Sequence, residues 1–312
     1  MADSFGPGCM QQPYPEGSFF YRPASITSED CLYLNVWTAA EANAARPVMV
    51  WLHGGALTRG SGAIDTYDGA GLAQKDVVVV TANYRLGVFG YLAHPELIAE
   101  SPEFSAGNYG ILDQIQVLKW VQENIAAFGG DPNNVTVFGE SAGAWSVHFL
   151  TASPLASGLF HKAIAQSGAR LDVRVELDRQ TSAGPSASAA GVRLAEQIGA
   201  AGLADLRAMP ARQLMDAAMA ANFRTDGIVD GWVIPEQPYA IFSEGRQNKV
   251  PVLVGFNSDE GTTLGAAANL PATAQAYEAR LQAVYGDLAD MMLEIYPAGD
   301  IRNSTLASYR DS

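Results

Sequence analysis

Two hydrophobic rhythms alternate along the chain. Pro47-Val48-Met49-Val50-Trp51-Leu52 and the run Asp76 to Ala82 (DVVVVTA) are short continuous apolar stretches of the kind expected for strands buried on both faces. Leu32–Trp37, Val135–Phe138, Lys162–Gln166 and Val250–Gly255 read as further strands. Between them, Ile111, Ile115, Leu118, Val121 and Ile125 recur at helical spacing, with Asn108 standing where a capping side chain would. Strands alternating with such helices predict an α/β protein, a mostly parallel sheet flanked by helices. From Thr181 the texture changes to Ser/Ala/Gly-rich sequence. It leads into Ala-rich amphipathic helices whose apolar positions are Val192, Leu194, Ala195 and Ile198, then Leu203 and Leu206, then Leu214, Met215, Ala218 and Met219. These residues are expected to pack rather than to read a substrate.

One strand ends in chemistry. Val135-Thr136-Val137-Phe138 runs directly into Gly139-Glu140-Ser141-Ala142-Gly143 and then into helix-compatible sequence, which is strand, sharp turn, helix. That order is a nucleophile elbow. G-x-S-x-G alone is a weak signal; the strand before it and the helix after it give it weight. The two glycines are needed where the turn packs its neighbours too tightly for side chains, and the following helix aims free N–H groups at the serine. The strand Pro47–Leu52 ends at His53-Gly54-Gly55-Ala56, a glycine-rich loop able to bring backbone donors close to a reacting oxygen; an ordinary turn at a strand end is the alternative.

Composition narrows the function classes. With 312 residues, 48% of them apolar, the chain can build one large α/β domain or two smaller ones. Its net charge of −14 would repel nucleic-acid phosphates and anionic membranes, so neither is an expected partner. No apolar stretch approaches the roughly 18 residues of a membrane span. Met1-Ala2-Asp3-Ser4 lacks the start of a signal peptide, so a cytoplasmic location is expected unless an upstream segment directs export. Neither metal-ligand spacing nor a phosphate-cradling loop occurs, and no metal or organic cofactor is expected. Cys9 and Cys31 are the two cysteines, either a pair of reduced thiols or one bridge.

Phe128-Gly129-Gly130, the four residues Asp131-Pro132-Asn133-Asn134, the strand and the Gly-Glu-Ser-Ala-Gly elbow together resemble the active-site signature of the type-B carboxylesterases, the family of cholinesterases and para-nitrobenzyl-type esterases. A second stretch, Glu29-Asp30-Cys31-Leu32-Tyr33-Leu34-Asn35-Val36-Trp37, resembles another family signature, although Ala39 stands where proline, glutamine or arginine is usual. The resemblance implies an α/β-hydrolase fold over 1–312, with residues 172–227 as a helical excursion roofing the active site. It implies hydrolysis of a small-molecule carboxylic ester through an acyl-enzyme on Ser141, with Gly55, Ala56 and Ala142 as the oxyanion hole. Glu260, after the strand Val250–Gly255, would be the triad acid, with Asp259 the weaker candidate. Ser167 would support that acid, Arg85 and Asp113 would form a salt bridge, and Cys9 and Cys31 would close a loop as a disulfide.

The general base is the difficulty. The triad order in this fold is serine, acid, histidine, yet His53, His94, His148 and His161 all precede Glu260. His148 lies two helical turns beyond Ser141, roughly 10 Å along the axis; His53 belongs to the glycine-loop strand, and His94 and His161 are loop or helix-start residues. Family members run to about half again this length. The expectation is therefore a partial fold, lacking the N-terminal small sheet and the C-terminal histidine-bearing part, and ending at Tyr309-Arg310-Asp311-Ser312 inside a helix. A catalytically silent, cholinesterase-like binding protein or an inactive gene fragment is the alternative.

Overall fold

Valines make the middle of the sheet. In the computed structural model, which describes residues 4–14, 16–17, 26–257, 260, 271 and 273–300, Val48, Val50, Val78, Val80, Val135 and Val137 are all fully buried. Asp259 and the stretch Tyr309 to Ser312 lie outside the described residues. The chain divides into two compact units, Met1–Val254 and Gly255–Ser312.

A short parallel pair, β1 (Gly8–Cys9) and β2 (Thr27–Ser28), precedes the main sheet. The main sheet holds β3 (Leu34–Trp37), β4 (Arg46–Leu52), β5 (Val78–Ala82), β6 (Gly130–Glu140), β7 (Lys162–Gln166) and β8 (Val252–Gly255) in the order β3-β5-β4-β6-β7-β8. β3 runs antiparallel to β5; the pairs β5–β4, β4–β6 and β6–β7 are parallel. The sheet is mostly parallel, as the alternating pattern predicts, in the α/β-hydrolase arrangement that the family resemblance implies. β6 is longer than Val135–Phe138 because Arg46 pairs with Gly130 across a register shift before Val48, so the turn-like Asp131-Pro132-Asn133-Asn134 is carried within the strand.

The helices of the first unit are α1 (Ala70–Ala73), α2 (Gly87–Tyr91), α3 (Pro95–Glu100), α4 (Tyr109–Asn124), α5 (Ala142–Ala152), α6 (Ala187–Gln197), α7 (Leu203–Ala208), α8 (Ala211–Ala220) and α9 (Pro238–Ser243). All five apolar positions read from the helical spacing, Ile111, Ile115, Leu118, Val121 and Ile125, enter the main core. Asn108 stands at the N-cap position of α4 as expected, but its side chain does not cap the helix. Its side chain donates to the Ile228 carbonyl at 2.9 Å and accepts from the Ile228 N–H at 3.1 Å, and no capping hydrogen bond forms. The buried Ile228 backbone has no strand partner, and an unpaired buried amide is dearer than an uncapped helix start.

Helices α6, α7 and α8 fall within residues 172–227 and share a second core, in which Leu194, Ala195, Leu206, Leu214 and Ala218 pack with Val88 and Leu92. Met219, at an expected packing position, is instead about half exposed at 49%, on the outer flank of α8. In the second unit α10 (Ala274–Tyr285) and α11 (Ala289–Ile295) pack around Tyr277, Leu281 and Tyr296. No helix among the described residues is long and apolar enough to cross a membrane.

Cys9 and Cys31 form a disulfide with a Cα–Cα separation of 4.8 Å. Closing a loop of that size contributes on the order of 3 kcal/mol in the chain-entropy model. Asn83 joins the bridge to the sheet: its Nδ2 donates to the Pro7 and Cys31 carbonyls, while its Oδ1 accepts from Ser61 Oγ and Gly62 N. Gln11, just past the bridge, accepts from Gly60 N at 2.7 Å and donates to the Gly60 carbonyl at 2.6 Å. The disulfide loop thus fixes the far end of the glycine-rich loop that follows β4.

Candidate active site

Ser141 sits between β6 and α5 with φ 56° and ψ −120°, a backbone conformation that a residue with a side chain rarely adopts. Two hydrogen bonds hold it there. Its N–H donates to the Gln166 carbonyl on β7 at 2.9 Å, and its carbonyl accepts from Trp145 N at 3.1 Å. The glycines on either side are explained by contact. A Cβ on Gly139 would lie 2.5 Å from the Gly143 carbonyl carbon, and a Cβ on Gly143 would lie 2.0 Å from the Leu52 carbonyl oxygen at the end of β4. The elbow is a turn of backbone packed directly on backbone.

The loop after β4 reaches the same place. A Cβ on Gly54 would stand 3.2 Å from Ser141 Cβ and 2.9 Å from the Glu140 carbonyl. Gly55, Ala56 and Leu57 follow with φ of 108°, 55° and 59°. Two consecutive non-glycine residues in the left-handed region are sparse enough to mark a loop whose shape its surroundings dictate. The N–H groups of Gly55, Ala56 and Ala142 donate to no backbone or side-chain acceptor among the described residues. For Ala142 the reason is helix geometry, since the first N–H groups of a helix have no carbonyl a turn earlier.

Each of the four histidines is engaged elsewhere. His53 is fully buried, stacked on Tyr84 with ring centroids 4.3 Å apart, and its Nδ1 donates to the Gly54 carbonyl at 2.9 Å. Burial lowers its pKa to about 4, against the smaller opposing effect of that hydrogen bond. His94 accepts from Glu96 N and so starts α3. His161 accepts from Val135 N, and His148 from Arg170 N at 3.4 Å, with burial lowering the pKa of His148. Among the described residues the Ser141 hydroxyl has no hydrogen bond to any of them.

The state of His53 has a measurable consequence. A group depressed from 6.5 to about 4 binds its proton in the unfolded chain first, so its contribution to stability is complete above pH 6.5 and is lost as pH falls toward 4. In a histidine-labelled sample, the ring resonances of His53 are expected to stay in the neutral form throughout pH 5 to 8. A midpoint near 6.5 would contradict the buried, stacked environment.

Glu260 belongs to the second unit, where its Oε1 accepts from Asn257 N at 3.2 Å and Asn257 Nδ2 at 3.3 Å. Ser167, with φ 52°, has no hydrogen bond to its hydroxyl among the described residues. Arg85 and Asp113 form a two-pronged ion pair, Nε to Oδ2 at 2.8 Å and Nη2 to Oδ1 at 2.7 Å, tying the exit of β5 to α4. Among the described residues no group of three or more His, Cys, Asp or Glu side chains could hold a metal ion. Sequence reasoning missed Trp145 and Arg170. The Arg170 guanidinium carbon lies 3.5 Å from the centroid of the Trp145 ring, one turn along α5 from Ser141. No local pattern marks that pair, because the two residues come from different elements.

Comparison with known proteins gives a consistent picture. The model of the carboxylesterase family matches residues 1–300. The chain is 44% identical over 301 residues to fumonisin B1 esterase of Sphingopyxis macrogoltabida, covering 94% of this chain and 53% of that protein. It is 38% identical over 307 residues to para-nitrobenzyl esterase of Bacillus subtilis (strain 168), covering 95% of this chain and 60% of that protein. The crystal structure of the Geobacillus stearothermophilus carboxylesterase EST55 at pH 6.8 superposes with a TM-score of 0.78 at 36% identity, over 98% of this chain and 64% of that one. The chain thus spans little more than half the length of the curated relatives it matches.

Proposed function

The chain belongs to the carboxylesterase family, and from that premise we propose that it carries the nucleophile and oxyanion hole of a serine-dependent carboxylic ester hydrolase. The observation that carries the reading is the meeting of two strained backbone segments at Gly54 and Ser141, which between them carry three N–H groups with no acceptor among the described residues. Ser141 Oγ attacks the ester carbonyl carbon while its proton passes to a base. The carbonyl oxygen takes the negative charge, and Gly55, Ala56 and Ala142 N–H donate to it. Collapse breaks the carbon–oxygen bond to the alcohol, which leaves with a proton, and water then releases the acid from Ser141 by the same route reversed. Each donor to the developing oxyanion is worth about 2.7–4 kcal/mol of transition-state stabilisation.

In this reading Glu260 holds the base in its working tautomer and stabilises the cation it becomes, and Ser167 supports that carboxylate. The base is a histidine other than His53, His94, His148 and His161. The helices of 172–227 roof the site. A second reading, a silent binding protein on the same fold, is favoured by one observation: none of the four histidines meets Ser141 among the described residues.

A fluorophosphonate probe separates the two. Intact-mass analysis of the folded chain is expected to show slow addition of one phosphonyl group, absent from Ser141→Ala. A folded chain that takes up no label at any pH between 5 and 9 would remove the hydrolase reading and leave the binding protein.

A further inference from the structure

Three arginines converge on too few carboxylates. Arg174, 1% exposed, donates from Nη1 to Asp226 Oδ2 at 2.6 Å and from Nη2 to Asp172. Arg224 Nη2 lies 3.7 Å from the same Asp226 oxygen, and Arg170 Nε lies 3.6 Å from the other. Three guanidinium charges therefore face two carboxylates, and one of those, Asp172, is turned largely to solvent. One positive charge is left over.

The surplus falls on Arg170. Its Nε is buried without a hydrogen-bond partner, and its guanidinium makes no hydrogen bond among the described residues. It lies flat on Trp145 instead. Burial lowers its pKa first, and Arg174 and Arg224 push in the same direction against Asp226 and Asp172. An arginine does not shed its proton under such pressure, so the charge remains and is poorly compensated. A planar guanidinium on an aromatic face, with its Nε buried and unbonded, is the geometry that accepts a carboxylate in two-pronged fashion.

Its position ties it to the reaction centre. Leaving β7, the chain passes Ser167, Gly168 and Ala169 directly over the start of α5. A Cβ on Gly168 would lie 2.6 Å from the Ser141 carbonyl oxygen and 3.1 Å from both Ala144 Cβ and Trp145 Cδ1. Trp145 stands one turn into α5, and its N–H donates to the Ser141 carbonyl at 3.1 Å. The guanidinium therefore rests on a residue whose backbone is bonded to Ser141, in the segment that crosses the Ser141 carbonyl.

We propose that Arg170 binds a free carboxylate carried by the substrate, so that the preferred substrates are anionic esters, with half-esters of dicarboxylic acids as the simplest class. This rests on Ser141 being the nucleophile. Arg174 and Arg224 act at one remove: they occupy Asp226, which would otherwise neutralise Arg170.

The test compares monomethyl glutarate with dimethyl glutarate, which share one diacid and differ in a carboxylate replaced by a methyl ester, by calorimetry on the full chain and by protection of Ser141 from the fluorophosphonate. The monoester is expected to bind about ten- to a hundredfold tighter and to protect Ser141. Arg170→Gln is expected to abolish that preference, and Arg170→Lys, keeping charge without the fork, to retain part of it; circular dichroism confirms that both remain folded. Equal affinity for the two esters, a preference that survives Arg170→Gln, or tight monoester binding without protection would each overturn the proposal. If Ser141 takes up no label while calorimetry still shows an Arg170-dependent preference, the nucleophile reading fails and the carboxylate site stands.

Discussion

Gly143→Ala is expected to cost on the order of 4 kcal/mol or more, enough to leave little folded protein. The added methyl would come within 2.0 Å of the Leu52 carbonyl oxygen, 2.9 Å of its carbon and 3.2 Å of the His53 carbonyl carbon. A clash with the end of a flexible side chain would be relieved by a rotamer change. Here the obstacle is the last residue of β4, paired with Ala82 on one side and Gly139 on the other, so that moving it breaks two ladders at once. The helix cannot retreat either, since Ser141 is tied to Gln166 and Trp145. Urea unfolding of the variant and of Gly71→Ala, where nothing lies within 4 Å, separates this contact from a generic glycine effect. Gly71→Ala is expected to be neutral or slightly stabilising, because it restricts only the unfolded chain. A Gly143→Ala chain as stable as the parent would mean that the elbow is not packed on β4.

What the sequence made legible was what is local. The continuous valine runs of β4 and β5 and the helical spacing of α4 name their own buried residues, because each element spends its apolar side chains on one core. The elbow was legible for the same reason: Gly139, Ser141 and Gly143 are constrained by contacts within a few residues of one another, and by the strand that precedes them. Asn108 was misread because its partner, Ile228, lies 120 residues away and local propensity favours a cap. The arginine cluster was invisible on similar grounds. No local pattern marks Arg170 or Arg174, and only the return of the chain at Asp226 brings both to one carboxylate. The disulfide stands between these cases, since two cysteines permit a pairing that only the fold, bringing β1 and Cys31 together, makes geometrically possible.

The chain as it stands is expected to hydrolyse para-nitrophenyl butyrate at only about 10³–10⁴ times the uncatalysed rate, the residue left to oxyanion binding when a triad member is out of place. Ser141→Ala is expected to remove even the serine-dependent part of this, and the pH profile between 5 and 9 is expected to show no inflection near the ordinary histidine value of about 6.5. His53 cannot serve, because its Nδ1 is committed to the Gly54 carbonyl and burial holds it neutral down to about pH 4. His148 is nearest in sequence, but it faces the Arg170 backbone, and burial weakens it as a base. Imidazole added to the solution is therefore expected to raise the rate above its own background in the parent chain and not in Ser141→Ala, since a small diffusible base can act where none of the four histidines does. Turnover several orders of magnitude higher, titrating near 6.5 and lost in His148→Gln, would place His148 at the serine after a rearrangement of α5 and would end the argument that the base comes from elsewhere.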